Sequence, residues 1–163
     1  MTLLPYEKKV KFSKILVAID GSDHSMKAAE YAIDIARDNK ARLVALTVLD
    51  ITKIGYAASA FIASHMHGLD ELEQKRKEAQ EWLDKVGKLI SQRATDNDNS
   101  IQFKSQIEES MSVAGAIVDY AENQNMDLIV VGSRGRSGFT KLLLGSIAST
   151  VITYAACPVL VTK

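Results

Sequence analysis

The stretch Lys14-Ile-Leu-Val-Ala-Ile-Asp-Gly-Ser22 decides the fold class of this chain. Its aliphatic run, residues 15–19, is rich in β-branched side chains and predicts a strand. The cluster of residues 20–23 ends a strand and can also cap a helix. Apolar residues then recur at helical spacing: Ala29, Ala32, Ile33 and Ala36. The stretch therefore predicts a strand, a tight turn and a helix that covers one face of a sheet.

The same alternation continues along the rest of the chain. Residues 43–49 and 128–131 are nearly continuous aliphatic runs, as is typical of strands buried on both faces. Residues 101–107 alternate apolar and polar side chains, which indicates a half-exposed strand at a sheet edge. Helical spacing recurs in residues 70–93 and 113–121. A last short strand is entered through Pro158, a position where proline fits.

The predicted order βαβαβαβαβ favours one architecture. Parallel crossovers are right-handed and helices must cover both faces, so we expect a five-stranded, parallel, doubly wound (Rossmann-like) α/β sheet with strand order 3-2-1-4-5. No Asn-Gly or Asp-Gly turn joins two strand-like runs, which disfavours an antiparallel α+β sheet. The 163 residues suit a single domain. We expect that domain at residues 12–163, preceded by an N-terminal arm at residues 1–11.

Composition excludes several classes of protein. Twenty Lys and Arg residues balance twenty Asp and Glu residues, so we expect no binding to nucleic acid. The 47% of hydrophobic residues can form a sizeable core, which excludes wholesale disorder. No apolar run approaches the ~18 residues that cross a membrane, and residues 1–10 lack the order of a secretory signal. With a single cysteine, which excludes an internal disulfide, we expect a cytoplasmic protein.

The segment Gly132-Ser-Arg-Gly-Arg-Ser-Gly138 follows a predicted buried strand, at the edge where open α/β sheets bind ligands. Its glycines permit positive φ and close approach, so consecutive N–H groups can converge on an anion. Arg134 and Arg136 add positive charge. Gly-Ser-Arg-Gly alone after a strand is also an ordinary turn into a helix.

A second anion site is predicted where Gly145 and Ser146 precede an apolar helical stripe. We expect Ser146 to cap this helix, and a helix N-terminus binds anions. The spacing Gly-x2-Gly-x9-Gly-[Ser/Thr] arises by chance in roughly 1 of 150 chains of this length. A loop and a helix start near one sheet edge would hold several linked phosphates better than one. This indicates a nucleotide polyphosphate.

These segments resemble the universal stress protein family, in particular its ATP-binding branch. The resemblance extends over about residues 14–163 and includes the first strand and turn quoted above. Asp127-Leu-Ile-Val-Val-Gly-Ser-Arg-Gly135 is similar to the family's phosphate loop, and Leu144-Gly-Ser-Ile-Ala148 with Cys157-Pro-Val-Leu-Val161 to its end. In the family's ATP-binding motif the glycines have the same spacing as those at positions 132, 135 and 145 of this chain. The branch of the family that binds no nucleotide lacks these glycines.

The resemblance implies a nucleotide-dependent stress-response or regulatory module that binds ATP, or another adenine nucleotide, with Mg²⁺. The main chain of Ala18 and Ile19 would face the adenosine, and Val48 would present its main chain to adenine. Asp20 would accept from a ribose hydroxyl or hold a Mg²⁺-bound water, although it could also merely cap a helix. The phosphates would meet the loop and the helix start: Gly132, Ser133, Arg134, Gly135, Arg136, Ser137, Gly138, Gly145, Ser146, Ile147 and Ala148.

Other nucleotide sites fit less well. The chain has no Gly-x4-Gly-Lys-[Ser/Thr], and its first strand–helix turn offers one glycine where a dinucleotide fingerprint needs several. His65-Met-His-Gly68 has the wrong order for an adenylyl transferase. Asp20 is the single candidate metal ligand from the first strand, so we expect no catalytic residue and at most weak hydrolysis. A slow Mg²⁺-dependent ATPase or nucleotidyl transferase, and a structural dimer without nucleotide, remain alternatives.

Histidines and the cysteine suggest little chemistry. His24, His65 and His67 lack the spacing of a metal site and are more typical of solvated side chains. Cys157 is expected to be a small buried residue rather than a reactive thiol.

Two segments suggest contacts. Residues 52–69 have no predicted secondary structure but enough apolar side chains for a lid over adenine or a protein contact. The last strand, from Val159 to Val161, is uncharged and predicted at a sheet edge, which favours pairing with another chain. The resemblance also implies a homodimer through this strand.

Overall fold

The structure, a computed structural model, describes residues 10–52, 62–94, 101–135 and 144–163, with residues 62–69 described for their main chain alone. The elements follow in the predicted order: β1 (Lys14–Ala18), α1 (Asp23–Asn39), β2 (Arg42–Asp50), α2 (Ile62–Arg93), β3 (Phe103–Ser110), α3 (Val113–Asn123), β4 (Leu128–Gly132), α4 (Ser146–Tyr154) and β5 (Val159–Thr162). The strands form one parallel sheet in the order β3-β2-β1-β4-β5. The predicted fold class, single domain and strand order are confirmed.

Two apolar layers cover the sheet because alternate residues of its strands point to opposite faces. On one face, Ile15 and Val17 of β1 pack with α1 and α2. On the other face, Leu16 of β1 and Ile129 of β4 pack with α3 and α4. The helices that follow β1 and β4 therefore lie on opposite faces. This creates a switch point between these two adjacent strands at their carboxyl ends.

Helix α1 begins at the turn that the sequence predicts. Ser22 is its N-cap, and the Ser22 side chain accepts a hydrogen bond from Ser25 N at 3.2 Å. Lys40 ends the helix in the left-handed conformation, with φ of 54°. Its buried stripe consists mostly of alanine, which lets the helix lie close to the sheet.

Helix α2 is longer than predicted, because it begins at Ile62 rather than near Asp70. Residues 62–69 of the segment without predicted secondary structure are thus helical, and the helix continues through Gly68 although glycine disfavours a helix interior by about 1 kcal/mol. At its other end, Arg93 binds Asp34 at 3.0 Å and Glu30 at 3.1 Å, which fixes the end of α2 against α1. Residues 53–61 of the predicted lid lie outside the described residues.

The two sheet edges are β3 and β5, as predicted. The predicted arm lies mostly outside the described residues, since the description begins at residue 10. Among the described helices, none is long and apolar enough to cross a membrane.

Candidate functional site

A cavity of about 370 Å³ lies at the carboxyl ends of β1, β2 and β4, at the switch point of the sheet. Its volume falls in the range of small-molecule sites. Most of the predicted site residues line it: Ala18, Ile19, Asp20, Val48, Gly132, Arg134, Gly135, Gly145, Ser146, Ile147 and Ala148. The fold thus brings the predicted residues from both halves of the chain to one place.

Among the described site residues that were predicted, Ser133 is not one of those that line the cavity. Ser133 is 7% exposed, and its N–H donates to the main chain of β5 at 2.7 Å. Arg136, Ser137 and Gly138 lie outside the described residues.

The turn after β1 holds Asp20 in a fixed orientation. Asp20 Oδ1 accepts hydrogen bonds from Ser22 N at 3.0 Å and from Ser22 Oγ at 2.6 Å. The N–H of Asp20 donates to Ser25 Oγ at 3.3 Å, and that hydroxyl donates to Ser22 O at 2.9 Å. Because Ser22 is the N-cap, Asp20 does not cap α1, and its second carboxylate oxygen is directed elsewhere.

That second oxygen faces Gly135. A Cβ on Gly135 would lie 2.7 Å from Asp20 Oδ2, a distance that real Cβ atoms do not adopt. The first part of the glycine loop therefore runs directly past the carboxylate. A side chain at position 135 would fill the space between the loop and Asp20.

Gly132 has a packing role in addition to its predicted place in the site. A Cβ at this position would lie 2.8 Å from the main-chain carbon of His24 in α1. Gly132 lines the cavity, but the absence of a side chain there is required for α1 to pack on β4. A glycine at position 132 is therefore needed for the packing of the fold, besides being part of the cavity wall.

The start of α4 corrects a prediction. The N-cap is Gly145 rather than Ser146, and no side chain caps the helix; Ser146 is the first helical residue. The N–H groups of the first helical turn have no intrahelical partners, and a glycine N-cap has no side-chain oxygen that could accept from them. Both α1 and α3, by contrast, have serine caps. The uncapped turn faces the cavity through Ser146, Ile147 and Ala148.

A main-chain hydrogen bond joins the residue that follows β4 to the N-cap of α4. Gly145 N donates to Ser133 O at 2.8 Å. A Cβ on Gly145 would lie 3.3 Å from Ser133 O and 3.4 Å from Arg134 Cα, so this close approach suits glycine. The bond places the N-terminus of α4 beside the carboxyl end of β4.

Val48 lies where β2 extends beyond β1. The last pair of these strands is Ala18 with Leu46, and Ile19 N donates to Leu46 O at 2.8 Å. In a parallel strand, residues two apart direct their N–H and C=O groups to the same side. The N–H and C=O groups of Val48 therefore point to the side of β2 on which β1 lies, as those of Leu46 do. Because β1 has ended at this level, both groups face the cavity.

Helix α2 supplies a wall that the sequence analysis did not identify. Lys75, Glu78 and Trp82 line the cavity and recur at helical spacing. Gly21, with φ of 79°, lies directly beneath the indole of Trp82, because a Cβ on this glycine would overlap the ring. The helix was recognisable from the sequence, but nothing in one sequence shows that Trp82 rests on the turn after β1.

The other candidates are the histidines and the cysteine. Among the described residues, no group of three His, Cys, Asp or Glu side chains could hold a metal ion, and the side chains of His65 and His67 lie outside them. Cys157 is partly buried beside the core. Burial raises the pKa of the Cys157 thiol, and the charge of Asp127 raises this pKa further. The protonated thiol agrees with the predicted inert role.

Comparison with known proteins identifies relatives of the whole chain. A universal stress protein of Methanocaldococcus jannaschii is 37% identical over 93% of this chain and 82% of its own. The solved structure of the universal stress protein UspA from Lactobacillus plantarum has a TM-score of 0.81 and 26% identity, covering 95% of this chain and 100% of that one. A universal stress protein from Archaeoglobus fulgidus, solved in complex with dAMP, has a TM-score of 0.63 and 20% identity, covering 94% of this chain and 100% of its own.

The family model called "Universal stress protein family" matches residues 11–163, almost the whole of the chain. Together with the relative that is 37% identical, this match shows that the chain belongs to the universal stress protein family.

Proposed function

We propose that this protein binds ATP, or another adenine nucleotide, in the cavity between β1, β2 and β4, and that it acts as a nucleotide-dependent regulatory module. The observation that carries the proposal is the convergence of Asp20 Oδ2, the glycine at position 135 and the uncapped start of α4 on one cavity. Free N–H groups at a helix start bind phosphate. A carboxylate beside them suits a ribose hydroxyl or a Mg²⁺-bound water.

The arrangement accommodates the three parts of a nucleotide. The phosphates would lie between Gly135 and the first turn of α4, and Arg134, which lines the cavity, would add positive charge. The main chain of Val48 offers one donor and one acceptor, which suits the polar edge of adenine. The dAMP complex of the Archaeoglobus relative shows that the fold admits an adenine nucleotide in that protein. At 20% identity that likeness concerns the fold, so the proposal rests on the residues of this chain.

Hydrolysis or nucleotidyl transfer is the second candidate, and Asp20 favours it. Its carboxylate oxygen Oδ2 lies beside Gly135, where a Mg²⁺ ion would accompany the phosphates. Phosphoryl transfer also requires a group that positions the attacking nucleophile. Among the described cavity residues, the other carboxylates, Asp50 and Glu78, come from β2 and α2. We therefore propose binding with slow or no turnover, by a cytoplasmic homodimer that pairs through β5.

The decisive experiment identifies any nucleotide that copurifies with the protein. The protein is denatured, the released nucleotide is identified by mass, and ATP with Mg²⁺ is then titrated into nucleotide-free protein with phosphate release measured in parallel. Stoichiometric ATP without phosphate release supports the proposal. Steady Mg²⁺-dependent phosphate release indicates the enzyme instead. Absence of any nucleotide, together with no binding of added ATP, contradicts both.

A further inference from the structure

The cavity contains a buried hydroxyl that none of the roles above uses. Thr47 is 2% exposed and lines the cavity. Within the described part of the chain, Thr47 Oγ1 has no hydrogen-bond partner. Buried side-chain hydroxyls are nearly always paired, because an unpaired one has lost its water without compensation. A partner for this hydroxyl is therefore expected to enter the cavity.

The position of Thr47 in the sheet determines which part of a ligand it meets. Thr47 belongs to β2, and β1 separates β2 from β4, which leads into the glycine loop. Two strand spacings amount to about 10 Å. Thr47 therefore lies at the end of the cavity away from the phosphate loop, next in sequence to Val48.

The alternation of β2 determines the face of the sheet on which the Thr47 side chain lies. Ala45 and Leu43 of β2 pack on the face covered by α1 and α2, and Thr47 continues this alternation. Trp82 and Glu78 of α2 line the same cavity. The side chain of Thr47 thus projects from the face of the sheet that α2 covers, opposite to the side chain of Val48.

We propose that Thr47 Oγ1 forms a hydrogen bond with the nucleobase and is a specificity-determining residue of the site. This inference rests on the proposed nucleotide-binding function. A hydroxyl both donates and accepts, so it can pair with the amino group or with a ring nitrogen of adenine. It complements the main chain of Val48, which presents its donor and acceptor in the plane of the sheet.

The test uses valine, which has nearly the shape of threonine but no hydroxyl. In Thr47→Val the affinity for ATP, measured by isothermal titration on the full chain, falls roughly tenfold because the base loses a buried hydrogen bond. Thr47→Ser keeps the hydroxyl and retains affinity to within about threefold. The nucleotide-free Thr47→Val protein is at least as stable as the wild type, because an unpaired buried hydroxyl has been removed.

Thr162 provides the matched control. It is 5% exposed and its Oγ1 likewise lacks a partner among the described residues, but it is not one of the cavity residues. Thr162→Val removes an equivalent hydroxyl from the same sheet, so it leaves the affinity for ATP unchanged. A second probe, ribose 5-phosphate, lacks the base, and its weak binding, followed by NMR titration, is the same for wild type and Thr47→Val.

The outcomes are distinguishable. Wild-type affinity in Thr47→Val shows that the hydroxyl contacts water rather than the base, and overturns the inference while nucleotide binding stands. Equal weakening in Thr162→Val, or equal weakening for ribose 5-phosphate, also overturns it, because the effect then comes from the fold or from the ribose phosphate. If the wild type binds no adenine nucleotide, the proposed function and the inference both fail.

Discussion

Gly135 and Asp20 are in direct apposition: a methyl group on Gly135 would lie 2.7 Å from Asp20 Oδ2. The other carboxylate oxygen of Asp20 is held by the N–H and the hydroxyl of Ser22, so the side chain cannot turn away without losing both bonds. The relationship connects the turn after β1 with the loop after β4. It makes the missing side chain at position 135 a property of the candidate site rather than of the core.

Gly135→Ala should therefore impair binding more than folding. The new methyl group would displace the Asp20 carboxylate, and we expect ATP affinity to fall by about tenfold or more, the equivalent of one lost charge-assisted hydrogen bond. Isothermal titration measures the affinity and urea denaturation the stability. Gly87→Ala is the control, since a Cβ there meets Phe103 at an ordinary 3.6 Å. Unchanged affinity in Gly135→Ala would contradict the assignment of Asp20 to the ligand.

Gly132→Ala should show the opposite pattern. Its Cβ would meet main-chain carbon of His24 at 2.8 Å, and a helix backbone cannot move as easily as the end of a side chain. Overpacking of this kind costs about 1–3 kcal/mol. We expect a lower urea midpoint even without nucleotide. A stability equal to that of the wild type would show that α1 can shift on β4 without cost.

The limits of the sequence analysis have physical causes. The strands and their order follow from aliphatic runs and chain connectivity, both of which are local information. The start of α2 was missed because Gly68 and an uneven apolar pattern weaken the helical signal before Asp70. The N-cap of α4 was misplaced by one residue because serine is usually the better cap, whereas here glycine permits the close approach to Ser133. Trp82 reaches the cavity through tertiary packing that the spacing of residues does not encode.

Trp82 should report ligand binding directly. It is the single tryptophan of the chain and lines the cavity against Gly21. A nucleotide in the cavity changes the polarity around the indole, so we expect its emission to shift or quench in a saturable way with ATP. The fluorescence titration should give the same dissociation constant as calorimetry. A Trp82→Phe variant should lose the signal, and an emission unaffected by saturating ATP would place the ligand away from α2.

Cys157 should react slowly with alkylating reagents at neutral pH. Burial and the charge of Asp127 raise the pKa of the thiol, so less of the reactive thiolate is present than in an unfolded chain. The rate of iodoacetamide labelling should continue to rise with pH beyond the ordinary thiol pKa before it levels off, and the denatured protein should react faster at pH 8. The same direction of shift means that stability falls as pH rises through the raised pKa. Equal rates for folded and denatured protein would contradict this prediction.

The edge strand β5 allows a specific test of the proposed homodimer. Pro158 O accepts from Ile129 N at 3.0 Å and Thr162 O accepts from Ser133 N at 2.7 Å, so alternate residues of β5 face β4. Val161 alternates with the residues that face β4, so its N–H points outward to the open edge of the sheet, where a second β5 would bind. Val161→Pro removes this outward donor while the inner ladder stays intact, and proline is tolerated on an edge strand. We expect Val161→Pro to be a folded monomer by sedimentation and Val161→Thr, which retains the N–H, to remain a dimer; a dimeric proline variant would place the interface elsewhere.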